Sequence, residues 1–390
     1  MSIFWLAVAA FSIGTEAFVI AGLLPVIAAD VHISLAATGQ LVTVYALTYA
    51  IGSPILAVVF NDFDRKIVLT LALCTFIVGN LIAANAGGFT SLMLSRMLMA
   101  LGAGLCMPTA NAVAVAMASP ERRGRAIALV TSGLTVATVL GVPIGTLIGA
   151  HFGWRSAFVL VAILGTLALA GLQFGLPRGL PRTTATLAQR FAIARHGGVL
   201  QALGTTVLWA AGAIGAFTYL AVPLHALGFS TTQISLALLL SGAGAATGNL
   251  LGGALVDRLG SLRTATSALM IVIATLVAQS LALKYATPPF AAALFLAMMF
   301  AQSIAGWMFY PAQVNTLLHL APDAPMIALS LNASAMYLGI AIGGAAGGVV
   351  VASLPASDIG WIGAISVGAA LLLHLFRERR QKLRLAPLAG

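Results

Sequence analysis

The chain has 390 residues, of which 61% are hydrophobic and only 7% charged. A soluble domain carries about a quarter charged residues, so this composition excludes a water-exposed globular surface and implies a polytopic membrane protein. The formal net charge of +10 is not gathered with aromatics on a soluble face, which argues against nucleic-acid binding.

Apolar stretches separated by short polar or Pro/Gly breaks fall near 4–28, 37–60, 67–86, 91–117, 125–150, 155–176, 200–224, 232–256, 264–284, 290–318, 326–353 and 358–376. They predict twelve membrane-spanning helices, since roughly 20 apolar residues cross a bilayer. The first run has no basic segment ahead of it and no small-residue cleavage pattern behind it, so it reads as a retained helix rather than a signal peptide. An Arg- and Pro-containing stretch, 177–199, divides the chain into six-helix halves at 1–176 and 200–376, followed by a basic tail at 377–390. Cys74 and Cys106 fall inside helices and read as small apolar packing residues.

Basic residues near helix ends stay on the cytoplasmic side. With the N-terminus inside, the inner loops hold Arg65, Lys66, Arg122, Arg123, Arg125, Arg178, Arg182, Arg190, Arg195, Arg258 and Arg263. Arg377, Arg379, Arg380, Lys382 and Arg384 of the tail join them, while the outer side keeps Arg155 and Lys284. Both termini are therefore expected in the cytoplasm of a bacterial-type inner membrane, with the tail facing anionic headgroups.

The halves repeat one another. Pro108 and Pro120 in and after helix four match Pro311 and Pro322 in and after helix ten. Helix five places Gly133, Ala137, Gly141, Gly145 and Gly149 at every fourth position, and helix eleven does so with Ala335, Gly339, Gly343 and Gly347. Such faces let helices approach closely in any membrane bundle. Pro143 inside the helix-five stripe removes a backbone hydrogen bond and suits a bendable gate. The expected fold class is all-α, with two pseudo-symmetric bundles rocking about a midplane site.

Of the nine acids, Asp30, Asp62, Asp64, Glu121, Asp257, Asp323, Asp358 and Glu378 sit at loops or helix ends, and Glu16 alone is deep. An ionisable group within a membrane span is a functional site by default. Burial disfavours an unpaired carboxylate, so a conformation-dependent protonation of Glu16 would couple a proton gradient to a transport cycle. Arg96 in helix four is the deep base and would modulate that acid. Two other readings stay open: a structural ion pair joining helices one and four, and direct binding of a cationic solute by Glu16.

The motif Gly253-Ala-Leu-Val-Asp257-Arg258-Leu-Gly260 with Arg263 resembles the cytoplasmic loop motif of the major facilitator superfamily. Gly141-Val-Pro143-Ile-Gly145 resembles the motif of its drug:proton antiporters with twelve helices, and Arg96 with Gly102 and Gly104 resembles the helix-four motif. Gly14-Thr15-Glu16-Ala-Phe18-Val19, Gly22-Leu-Leu-Pro25 and Gly153-Trp154-Arg155 point to the branch of sugar-efflux, arabinose-efflux-like and chloramphenicol-resistance permeases. The resemblance implies a sliding seam at helices five and eleven and a latch at Asp257 and Arg258. The first-half loop, Asn61-Asp62-Phe63-Asp64-Arg65-Lys66, lacks the glycine after the acid, so either Asp62 or Asp64 is the matching latch.

On helix four, Arg96, Ala100, Gly104, Met107 and Asn111 follow the spacing of one face. Trp209 and Phe217 in helix seven, Gln302, Trp307, Tyr310 and Gln313 in helix ten, and Asn332 and Tyr337 in helix eleven are candidate solute contacts in the second half. Amides and aromatics with one acid and one base suit a neutral, mildly polar or amphipathic solute. No enzyme signature is present: the six histidines lack metal-ligand spacing, and no phosphate loop with its lysine occurs, which argues against ATP as the energy source. The expectation is a monomeric, proton-coupled efflux antiporter for a small organic solute such as a drug, sugar or nucleoside-like metabolite, without cofactor. An uncoupled facilitator or proton-symporting importer is the alternative, and a membrane receptor or structural subunit a distant one.

Overall fold

The computed structural model describes the chain except residues 1, 120–121, 178, 180–186, 288 and 386–390. Pro120, Glu121, Arg178, Arg182 and the end of the basic tail therefore lie outside the described residues, as do the side chains of Arg380, Lys382 and Arg384. Among the described residues, twelve helices are long and apolar enough to cross a membrane. Numbered one to twelve, they are Ile3–Val31, Leu35–Val59, Arg65–Ala84, Phe89–Met117, Arg123–Phe152, Trp154–Gly175, Gly197–Ala226, Thr231–Leu259, Ser261–Tyr285, Phe290–Leu320, Pro325–Ser353 and Asp358–Arg379. Each expected stretch corresponds to one of them. Helices satisfy every backbone group within the segment, which hydrocarbon demands.

Local chemistry sets the ends. The Ser34 side chain accepts the Ala37 N–H at 3.1 Å to start helix two, and Asp64 accepts the Lys66 N–H at 2.8 Å to start helix three. Gly153 (φ 85°) and Gly260 (φ 81°) precede helices six and nine in a left-handed conformation that carries no Cβ penalty only for glycine. Helix five widens into a π-turn at Ala137–Gly141, immediately before Pro143. Proline offers no N–H to the carbonyl four residues back and its ring crowds that carbonyl, which a wider turn accommodates. Helix seven has a π-turn at Ala210–Ile214 and a non-helical turn at Tyr219 and Leu220.

The chain groups into two compact units, residues 1–187 with 218–243, and residues 188–217 with 244–390. The end of helix seven and the first half of helix eight thus belong to the first unit. Contacts explain the grouping: the Tyr219 hydroxyl fills the space beside Gly39, Leu238 and Thr146 press on Gly22, and Gly242 lies on the Thr138 carbonyl.

Small residues position helix one within the first unit. Gly133 faces the Ala7 carbonyl, Gly141 faces Thr15, Gly145 faces Val19 and Gly149 faces Leu23. In the second unit Gly339 meets the Val207 carbonyl, and Gly343 meets the Ala211 carbonyl and Gly215 of helix seven. Each stripe therefore closes on the first helix of its own half. A further stripe, Gly244, Gly248 and Gly252 of helix eight, packs on helix ten at Phe300, Ile304 and Met308.

Candidate functional site

Glu16 occupies the middle of helix one and is 0% exposed, as is Arg96. Arg96 enters helix four from the face where helix one ends. Its Nη1 donates to Glu16 Oε1, so the two deep charges form one ion pair. Helix two completes the cluster: the Leu41 carbonyl accepts from Arg96 Nε at 3.1 Å, and the guanidinium carbon sits 4.3 Å from the centroid of the Tyr45 ring. Leu41 and Tyr45 are one helical turn apart, so a single face of helix two supplies both contacts. Glu16 Oε2 is buried without a hydrogen-bond partner among the described residues.

The energetics of such a pair are lopsided. Removing two charges from water costs several kcal/mol per ion, and mutual attraction roughly offsets it. Removing one partner leaves an uncompensated buried charge, at about 3–5 kcal/mol. One carboxylate oxygen is thus engaged by the guanidinium, and the other makes no hydrogen bond among the described residues.

The rest of the Arg96 face is largely covered. Gly104 lies against Ser53 of helix two, whose hydroxyl donates to the Gly104 carbonyl at 2.7 Å. Farther along, Asn111 is half-buried, with an Oδ1 that has no hydrogen-bond partner among the described residues.

The second unit holds an uncharged polar cluster. Gln313 Nε2 donates to the Ala202 carbonyl at 2.5 Å and to Thr206 Oγ1 at 3.0 Å, and the Thr206 hydroxyl donates to Asn332 Oδ1 at 2.7 Å. Helices seven, ten and eleven are joined there, and Gln313 and Asn332 are 0% exposed. Trp209 is buried one turn from Thr206 and packs on Phe309 with ring centroids 4.9 Å apart. Gln302 accepts from Gln279 Nε2 at 2.5 Å, Trp307 lies 6.2 Å from Tyr310, Phe217 is half-buried, and Tyr337 is buried. The sequence-derived candidates of this half thus divide into the buried Trp209, Gln313, Asn332 and Tyr337, and the half-buried Phe217, Gln302, Trp307 and Tyr310.

In the first-half loop, Asp64 Oδ2 accepts the Gly179 N–H at 2.9 Å, and Lys66 Nζ donates to the carbonyls of Gln173 and Leu176 at 2.7 and 2.9 Å. Arg65 is buried and its Nη2 donates to the Asn61 carbonyl at 3.3 Å, while Asp62 is exposed. The loop therefore clamps the end of helix six, with Asp64 as the structured acid. Asp257 and Arg258 are exposed at the end of helix eight, and no described residue forms an ion pair with either. Gly253 has open space around it, whereas Gly260 is the turn glycine described above.

Among the described residues no cluster of His, Cys, Asp and Glu has metal-binding geometry. The model of the Major Facilitator Superfamily matches residues 6–225 and 202–390. The chain belongs to the Major Facilitator Superfamily.

Relatives agree along the full length. The inner membrane transport protein YdhP of Escherichia coli (strain K12) is 35% identical over 381 residues, covering 96% of this chain and 95% of its own. The uncharacterized MFS-type transporter YbcL of Bacillus subtilis (strain 168) is 33% identical, with 96% and 94% covered. The chloramphenicol resistance protein of Streptomyces lividans is 30% identical, with 96% and 95% covered. The solved nucleoside transporter NupG superposes with a TM-score of 0.74 at 14% identity, covering 97% of this chain and 98% of that one. The peptide transporter POT gives 0.76 at 14% identity, with 100% and 94% covered. These two share the fold.

As a member of the superfamily, the protein is a multi-pass membrane transporter of small solutes and not an enzyme. Its deep ion pair involves residues that sequence reading did not single out. Leu41 acts through its carbonyl, and Tyr45 lay unremarked in an apolar run; its spacing of four from Leu41 and from Tyr49 was the available signal. Thr206, the hinge of the second polar cluster, gave no signal beyond being a hydroxyl in an apolar helix.

Proposed function

We propose that the protein is a proton-coupled exporter of a small organic solute, working by alternating access of its two six-helix halves, with Glu16 as the proton site and Arg96 as its internal competitor. The observation that carries this reading is the fully buried Glu16–Arg96 pair, with one carboxylate oxygen still unpartnered. A carboxylate that exchanges an internal cation for a proton changes the charge of the site between states. That change is what coupling to a proton gradient requires. The same reading takes the proton gradient as energy source, the inner membrane as location with both termini cytoplasmic, and a monomer as the working unit. Helices five and eleven, Asp64 with Arg65, and Asp257 with Arg258 serve as its moving seam and latches.

Export is supported by the chloramphenicol resistance protein among the relatives, which makes chloramphenicol the first solute to try, followed by sugars and nucleosides. The half-buried Phe217, Gln302, Trp307 and Tyr310 suit an amphipathic neutral solute better than a polyanion. The test is proton release when such solutes are added to purified protein in weak buffer, for wild type and Glu16→Gln. Release that vanishes in the variant supports the proposal. Solute binding with equal release from both proteins, or with none, makes the pair a structural staple in a facilitator.

A further inference from the structure

We propose that the second unit carries a site for a phosphate group where helix nine starts and helix twelve ends, with Arg377 as its cation and His374 and Thr266 beside it. Arg377 lies in the last turn of helix twelve and is 3% exposed, and His374, one turn before it, is 0% exposed. Of the guanidinium nitrogens, Nη2 donates to Glu378 Oε1 at 2.8 Å and lies 3.4 Å from His374 Nδ1. Nε and Nη1 are buried without a hydrogen-bond partner among the described residues. A buried cation is costly unless acceptors reach its N–H groups, and one carboxylate oxygen on one nitrogen leaves much of that cost standing.

Helix packing brings further donors to the same level. Gly360 faces Ser280 and Leu276 of helix nine, and Gly363 faces Leu276, so helices nine and twelve run antiparallel in contact. Both rise by the same length per residue, so the count of residues that leads from Gly363 to His374 leads back from Leu276 to Ala265. His374 and Arg377 therefore lie level with the first two turns of helix nine. Thr266 is there, and its buried Oγ1 has no hydrogen-bond partner among the described residues. The same holds for His374 Nε2, and with Nδ1 turned to the Arg377 N–H the proton of a neutral ring sits on Nε2.

The setting favours a phosphate. No side chain caps the start of helix nine, so its leading N–H groups and the positive end of its dipole face this end of the unit. A guanidinium gains nothing from that end of a helix, whereas an anion does. Arg258 and Arg263 are exposed here and draw anions in, against the exposed Asp257 and the half-buried Glu378. The donors come from two helices, and the oxygens of a phosphate spread tetrahedrally where those of a carboxylate share one plane. A phospholipid headgroup and free phosphate both supply that chemistry. Either one, held here, ties the end of helix twelve to the start of helix nine.

The test is thermal unfolding of the purified protein in uncharged detergent. Inorganic phosphate is compared with chloride at equal ionic strength, and phosphatidylglycerol with diacylglycerol, which lacks the phosphate. A ligand that binds the folded state raises the unfolding temperature with increasing concentration. Wild type is expected to show this rise with a defined half-saturation for at least one phosphate probe. A rise with phosphatidylglycerol alone assigns the site to a lipid headgroup, a rise with inorganic phosphate alone to the free anion, and a rise with both to the phosphate group in either form. Arg377→Gln is expected to raise the half-saturating concentration about tenfold or more, since it removes charged hydrogen-bond donors. Arg377→Met serves should the glutamine variant fail to fold, and Arg263→Gln, at an exposed cation on the same end, is expected to keep the effect. No rise in wild type with either probe overturns the proposal, as does an equal rise in the folded Arg377 variants. A loss in Arg263→Gln as large as theirs overturns it too, by reducing the effect to surface charge.

Discussion

Thr15 of helix one lies against Gly141 of helix five so closely that a methyl group on that glycine would overlap the threonine hydroxyl. The contact is one residue from Glu16 and beside the π-turn that precedes Pro143. Close packing here leaves the helix-five seam no tolerance for volume. Gly141→Ala is expected to lower stability by about 1–3 kcal/mol through overpacking. Thermal unfolding in detergent checks this, and adding Thr15→Ala should recover part of the loss. Gly253→Ala, with open space around the glycine, should be neutral or slightly stabilising because alanine favours the helix.

The buried pair should show strong coupling between its members. Glu16→Ala and Arg96→Leu are each expected to cost about 3–5 kcal/mol, because each removes the counter-charge of a buried ion. The double variant should be more stable than either single one, while solute-linked proton exchange is lost in all three. Additive losses in a double-mutant cycle would show that the two side chains do not act as a unit.

In the second unit, Thr206 links Gln313 and Asn332. Thr206→Val removes a hydroxyl and leaves the buried Asn332 Oδ1 without its donor, at about 1–3 kcal/mol. Combining Thr206→Val with Asn332→Leu should cost less than the sum of the two. A solute that touches this cluster directly would also lose affinity in Thr206→Val, so measuring binding beside stability separates bracing from recognition.

The first-half loop offers a choice between two acids. Asp64 caps helix three and holds the Gly179 amide, whereas Asp62 is exposed. Asp64→Ala is expected to cost about 1 kcal/mol from the lost cap. Asp62→Ala should stay within about 0.5 kcal/mol of wild type, as surface changes do. Transport rates of the two variants then show whether the clamp on helix six matters beyond stability.

The twelve helices were legible because membrane spans announce themselves by length and apolarity. Pairing of Glu16 with Arg96 was legible from depth, since a mid-helix acid and a base two turns into a helix from the opposite side reach one level. The support from helix two was not, because a backbone carbonyl leaves no mark in sequence and a tyrosine in an apolar run looks like packing. The grouping of residues 218–243 with the first six helices was hidden for a similar reason. It depends on which side chain fills which glycine notch, Tyr219 at Gly39 and Leu238 at Gly22, and not on where apolar runs begin and end. Gly253 stood out as part of a loop motif, yet the glycines packed on helix ten are Gly244, Gly248 and Gly252.

The central claim is that Glu16 exchanges its internal cation for a proton during export. The most direct measurement is movement of radiolabelled chloramphenicol in proteoliposomes under an imposed pH gradient, for wild type and Glu16→Gln. Uphill movement against the proton flow in wild type, with only gradient-insensitive downhill flux in the variant, is the result expected. Equal response of both proteins to the gradient would contradict the assignment of the proton site to Glu16.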